Sequence, residues 1–161
     1  MNMLFEIRIS ACLLACALMS WQLPARCADA GEPQTYAPVT VAMKPVQVSE
    51  HVWFVQGEAG VATDNEGFIS NAGFVVTGAG VVVFDALGSP SLGDALLKQI
   101  RTVTSEPVVR VIVSHYHADH IYGLQVFEDL DAEILAPAGA EKYLDSEQAA
   151  ERLEERRFTL D

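Results

Sequence analysis

Three of the chain's four histidines and one carboxylate fall within six residues, in the run Ser114-His115-Tyr116-His117-Ala118-Asp119-His120. Imidazole nitrogen and carboxylate oxygen are ligands that zinc favours, and a catalytic zinc keeps one position open for water. In extended backbone, side chains two apart point to the same side, so His115 and His117 can converge on one ion. Asp119 and His120 follow as the chain turns, and they can lie beside the first pair or address a second ion. A lone histidine at a strand end is ordinarily a hydrogen-bonded surface or core residue. Four ligand-type residues in six positions point instead to metal.

The flanking elements set where these side chains stand. Val108-Val109-Arg110-Val111-Ile112-Val113 is a β-branched run that predicts a buried strand, which puts the histidines at its C-terminal end, where α/β sheets place their chemistry. Before it, Ser89 can cap a helix with Pro90 at the first helical position and Leu92, Leu96, Ile100 and Val103 on one face. Gly93 in this helix allows close approach to the sheet, and Asp94 and Lys98 stand four apart on the outside. Asn71 to Thr77 and Val81 to Asp85 read as the two strands of a hairpin turning at Gly78-Ala79-Gly80. Strand, crossover helix and strand then occur in the order that gives parallel pairing.

Further out, His51 to Gly57 predicts a strand with His51 at its end. Gly57 to Asn71 predicts a loop, with Phe68 and Ile69 either packed inward or offered to an apolar substrate. After the histidines, Ile121 to Asp129 predicts a short helix with Leu124 and Phe127 facing in, and Gly123 lets the backbone pass close to the metal loop. Glu133 to Ala136 reads as a strand. Residues 138–158, rich in Glu, Arg and Ala and with Leu144 and Leu153 as sparse apolar anchors, read as one long solvated helix.

His115-x-His117-x-Asp119-His120 resembles the signature of the metallo-β-lactamase superfamily, and the likeness extends over roughly His51 to Ala136. The resemblance implies an α/β fold of the α+β type, the αββα sandwich. It implies a zinc-dependent hydrolase with one or two Zn2+, iron being the alternative, as in sulfur dioxygenases of the same fold. His115 and His117 would hold the first ion, and Asp119 and His120 the second. A metal-bound hydroxide would attack an amide, thioester or lactone, with Asp119 as the catalytic residue steering its proton. The family has an aspartate at the strand end that supports the metal loop from behind the ligands, which is one reading of Asp85; a turn-capping aspartate is the other. Where the family most often has a glycine pair after the last histidine, this chain has Tyr122-Gly123.

The same resemblance implies two half-domains, the second supplying a further histidine, a carboxylate or cysteine, and a last histidine. The 41 residues after His120 (161 − 120) contain no histidine. The expectation is therefore a first half-domain only, with two protein ligands per ion and one apolar sheet face left open to pairing between copies. The alternative to a working hydrolase is a non-catalytic, truncated fragment with weak metal binding.

With 161 residues, 50% of them apolar and 20% charged, the composition is that of one globular domain. A net charge of −12 argues against nucleic acid or an anionic membrane surface and leaves a small-molecule substrate as the expected partner. Residues 1–30 read as a signal peptide: Arg8, an apolar stretch from Ile9 to Leu23, and an Ala28-Asp29-Ala30 cleavage site. The expected destination is the periplasm or the exterior, with no stable membrane span after processing; an uncleaved anchor is the alternative. Cys12, Cys16 and Cys27 all precede the cut, so the mature chain would carry no thiol. Residues 31–45 read as a linker or extended lead-in, and 46–161 as the N-terminal part of the domain.

Overall fold

In the computed structural model of the chain, the described residues are 35–61 and 64–160, the last five of these for their backbone only. The expected signal peptide, with all three cysteines, lies outside them. Among the described residues no helix is long and apolar enough to cross a membrane.

The elements follow as β1 (Pro45–Ser49), β2 (Val52–Val55), β3 (Ala72–Val76), β4 (Val81–Phe84), α1 (Pro90–Val103), β5 (Val108–Ile112), α2 (Ala118–Ile121), α3 (Leu124–Glu128), β6 (Glu133–Leu135), α4 (Ala140–Leu144) and α5 (Glu147–Leu160). The strands form one six-stranded sheet in the order β1-β2-β3-β4-β5-β6. β1 to β4 pair antiparallel, and β4, β5 and β6 pair parallel. The switch occurs where α1 carries the chain across. Parallel neighbours cannot be joined by a tight turn and need such a crossover.

Register sorts the side chains onto two faces, because successive residues of a strand alternate. Trp53 pairs with Phe74, Phe74 with Val83, and Val83 with Val111. Phe74, Val83 and Val111 are fully buried, and the Trp53 ring stacks on Phe74 at 5.3 Å. The other row, Phe54-Gly73-Phe84-Ile112-Leu135, lies on the opposite face. There Phe84 is 42% and Leu135 39% exposed, and Val46, paired with Phe54, is 54% exposed. One face thus lies in the core, and the other carries apolar side chains in the open.

α1 sits on the buried face. The Ser89 hydroxyl accepts from the Leu92 N–H at 3.2 Å, Pro90 opens the helix, and Leu92, Leu96 and Ile100 are essentially inaccessible. Each such side chain contributes roughly 1.5–3 kcal/mol relative to exposure. Asp94 and Lys98 form the expected ion pair at 2.6 Å. Gly93 differs from expectation: it meets the α2–α3 junction instead of the sheet, and a Cβ there would stand 2.7 Å from the Gly123 carbonyl oxygen. Phe127 of α3 completes the core beneath β5 and β6.

Two other stretches depart from the sequence reading. Residues 36–43 lack regular structure yet do not behave as a free linker: Met43 is buried, and Tyr36, Val39 and Val41 pack against the core. The expected single C-terminal helix is two, because Ser146 interrupts it. Its hydroxyl accepts from the Ala149 N–H at 3.2 Å and so caps the start of α5.

Candidate metal centre

The loop from Val113 to His117 leaves β5 and enters the single turn of α2, so the histidines stand at the C-terminal end of a parallel strand. Three rings cluster there. The His115 and His117 centroids are 4.6 Å apart, and His115 and His120 are 4.2 Å apart. His120 Nε2 lies 3.5 Å from Asp119 Oδ2, with side-chain exposures of 18% and 25%, so these two atoms are neighbours near the surface. Among the described residues no group of three or more His, Cys, Asp or Glu side chains is arranged so that it could hold a metal ion. The four donors meet pairwise.

Asp85 ties the loop shut. Its Oδ1 accepts from the Ser114 N–H at 2.8 Å, its Oδ2 accepts from the Ser114 hydroxyl at 2.7 Å, and the same Oδ2 lies 2.8 Å from His120 Nδ1. The residue is buried and holds a positive φ of 61°, a conformation that aspartate tolerates better than most residues. Leu87, two residues on, has φ 69° and is also buried. Strained, well-packed backbone of this kind clusters at functional sites. The Asp85 side chain hydrogen-bonds to the histidine loop at Ser114 and His120.

These contacts determine the histidine tautomers. A carboxylate only accepts, so His120 Nδ1 donates to Asp85, and in the neutral ring Nε2 is left with the lone pair. The Ser114 hydroxyl hydrogen is committed to Asp85, so at 2.9 Å from His115 Nδ1 the oxygen accepts, and His115 Nε2 is likewise left with its lone pair. One buried carboxylate therefore orders both rings, one directly and one through a serine. Ligand histidines are ordinarily fixed through their other nitrogen in this way. The donor types, imidazole nitrogen and carboxylate oxygen, are those zinc favours, and Asp85 and Ser114 orient two of the rings.

The backbone around the loop is equally constrained. The Ala86 N–H donates to the His120 carbonyl at 2.8 Å, and the Gly123 N–H to the Leu87 carbonyl at 3.1 Å. At Gly123 a Cβ would sit 2.0 Å from the Ala86 carbonyl oxygen, so only glycine fits this approach. Ser70, in the loop before β3, donates its hydroxyl to the Asp119 carbonyl. Neither Ser70 nor Ser114 has a local sequence signal that marks it as a support of the site. His51 stands apart, exposed at the β1–β2 turn, at the end of the sheet away from β5's C-terminus. Phe68 is 1% exposed and belongs to the core, which removes it as a substrate contact.

A family model described as the metallo-beta-lactamase superfamily matches residues 65–157, more than half of the chain. Sequence comparison with curated proteins gives no match. Among solved structures, the metallo-beta-lactamase from Pontibacter korlensis superposes with a TM-score of 0.57 at 17% identity, covering 66% of this chain and 49% of that one. TMB-1 superposes with a TM-score of 0.53 at 20% identity, covering 65% of this chain and 47% of that one. The chain thus spans about half the length of these structures, and the likeness is one of fold. The matched family model, together with a mixed α/β fold that resembles metallo-beta-lactamase structures, places the protein: this chain belongs to the metallo-beta-lactamase superfamily.

Proposed function

We propose that this chain carries the metal-holding part of a zinc-dependent hydrolase that acts on an amide, thioester or lactone bond of a small molecule. The observation that supports this most directly is the hydrogen-bond relay from Asp85, which leaves His115 and His120 each with a free Nε2 at the end of β5. A bound Zn2+ supplies polarisation of an acyl oxygen and lowers the pKa of a water from 15.7 toward about 7. The roles of the protein groups follow from their placement. His115 and His117 would hold one ion, and Asp119 and His120 a second or the open side of the first. Asp119 would take the proton of the attacking water, a role supported by its partial exposure beside His120 Nε2. Asp85 and Ser114 would hold the His115 and His120 rings in orientation. Iron is the alternative occupant of the same nitrogen and oxygen donors.

The chain's net charge of −12 supports a small-molecule substrate over nucleic acid. The N-terminal pattern of residues 1–30 supports export, and hence an extracytoplasmic substrate. A second reading is favoured by the pairwise meeting of the donors: a fragment that binds metal weakly and does not turn over. Zinc content and hydrolysis of a chromogenic lactam, a thioester and a lactone by the purified chain separate the two. Turnover that His117→Ala abolishes supports the hydrolase; metal binding without turnover of any of the three supports the fragment.

A further inference from the structure

A groove of about 410 Å3 opens beside the histidine loop, between the end of β5, the α2–α3 junction and α4. Ser114 and His115 form part of its wall, so it is continuous with the candidate metal centre. The rest is apolar: Ile121, Leu124, Ile134, Pro137 and Leu144. The Tyr116 and Tyr143 rings, 4.4 Å apart, make one side. Tyr116 also meets the His117 ring edge-on at 5.1 Å, which ties this side of the groove to a candidate ligand. Beyond the tyrosine pair lies a separate, polar hollow bounded by Gln148, Glu151, Arg152 and Glu155. The pair therefore divides an apolar compartment that touches the site from a charged one.

The volume is that of a small-molecule pocket, and its few polar groups are already engaged near the histidines: the Ser114 hydroxyl is committed to Asp85 and His115. Among the described residues no charged side chain other than a histidine lines the groove, and most of its wall, from Ile121, Leu124, Ile134, Pro137 and Leu144, offers apolar surface to an alkyl or aryl group. We propose that this groove is the specificity subsite of the centre and receives a neutral, apolar arm attached to the bond that is cleaved. This rests on the hydrolase reading given above and narrows its substrate class.

The test is an NMR titration of the full chain with N-methylalkanamides from N-methylbutanamide to N-methyloctanamide. Affinity should rise about threefold per added methylene, the gain expected for burial in a partly open apolar groove. The perturbed methyl signals should be those of Ile121, Leu124, Ile134 and Leu144. Leu144→Ser and Tyr143→Ala, both peripheral to the core, should weaken N-methyloctanamide binding about tenfold and N-methylbutanamide binding by less. Affinity independent of chain length, shifts confined to Val46, Val48 and Phe84 on the open sheet face, or full retention of the length effect in both variants would overturn the proposal. Zinc content and hydrolysis, measured on the same samples, report on the hydrolase reading separately. If both fail while the length effect holds, that reading falls and the groove stands. If both hold without a length effect, the groove alone falls.

Discussion

Asp85→Asn changes one oxygen to an NH2 group, yet it should largely abolish metal affinity while leaving the fold in place. In the native site Asp85 Oδ1 takes the Ser114 N–H at 2.8 Å, and Oδ2 takes the Ser114 hydroxyl at 2.7 Å and His120 Nδ1 at 2.8 Å. An asparagine must keep its oxygen on the Ser114 N–H, because the flipped amide would set two donors face to face. Its NH2 group then points at Ser114 Oγ and His120 Nδ1. His120 Nδ1 has to accept, so its proton moves to Nε2. Ser114 Oγ also accepts, so its hydrogen turns to His115 Nδ1, and the proton of that ring moves to Nε2 as well. Both ligand nitrogens are blocked in one step. Restoring them means breaking two hydrogen bonds at about 0.5–1.5 kcal/mol each and leaving a buried amide donor unmatched, at a further 1–3 kcal/mol. The lower end of that sum, about 2–3 kcal/mol, already corresponds to an affinity loss of roughly thirtyfold to a hundredfold, the range that loss of an outer-sphere partner of a ligand histidine costs. Zinc affinity by chelator competition, read beside the thermal unfolding of the metal-free protein, checks this. If Asp85→Asn binds zinc within about threefold of the native chain while His120→Ala does not bind, the tautomer argument is refuted.

Other consequences follow from single contacts. Gly123→Ala sets a methyl 2.0 Å from the Ala86 carbonyl oxygen, so it should destabilise the chain by about 1–3 kcal/mol or more, seen as a lower urea midpoint. The Tyr36 hydroxyl donates to Asp129 at 2.8 Å, and burial together with that carboxylate pushes its pKa up to about 12. The folded state therefore holds this proton more tightly than the unfolded one. Its contribution is complete below pH 10, is lost between about 10 and 12, and should vanish from the pH profile of unfolding in Tyr36→Phe. The open sheet face, with Val46 54%, Val48 59% and Phe84 42% exposed, should make the isolated chain self-associate. Sedimentation should show a concentration-dependent mass that Val46→Glu with Val48→Lys reduces; a concentration-independent monomer would count against pairing through this face.

The legible parts of the fold were those with local, periodic signals. α1 carries its cap, its proline and its apolar stripe within fifteen residues, Ser89 to Val103, and β3 to β5 are continuous β-branched or apolar runs. β1 was not legible, since Pro45–Ser49 is an almost wholly exposed edge strand with no buried face to impose a pattern. The break between α4 and α5 was hidden because Ser146 lies within the polar run Asp145-Ser146-Glu147-Gln148, where a cap looks like any other surface residue. The six-residue histidine run showed its donor types in the sequence. Its supports did not: Ser70 reaches Asp119 across 49 residues, Asp85 reaches Ser114 across 29, and Tyr143 meets Tyr116 from a separate helix. Contacts at that separation exist only once the sheet has formed. A resemblance to the family could suggest Asp85 as a support, but it could not specify the serine through which that carboxylate orders His115.

The central claim is that the His115-to-His120 loop is a metal centre preset by Asp85. Zinc K-edge absorption of the loaded chain, compared with His117→Ala and His120→Ala, tests it most directly. The loaded native chain should show imidazole scattering from at least two histidines, reduced in each variant, with metal affinity falling at least tenfold. No zinc bound at micromolar concentration, or a spectrum and affinity unchanged in both variants, would contradict it.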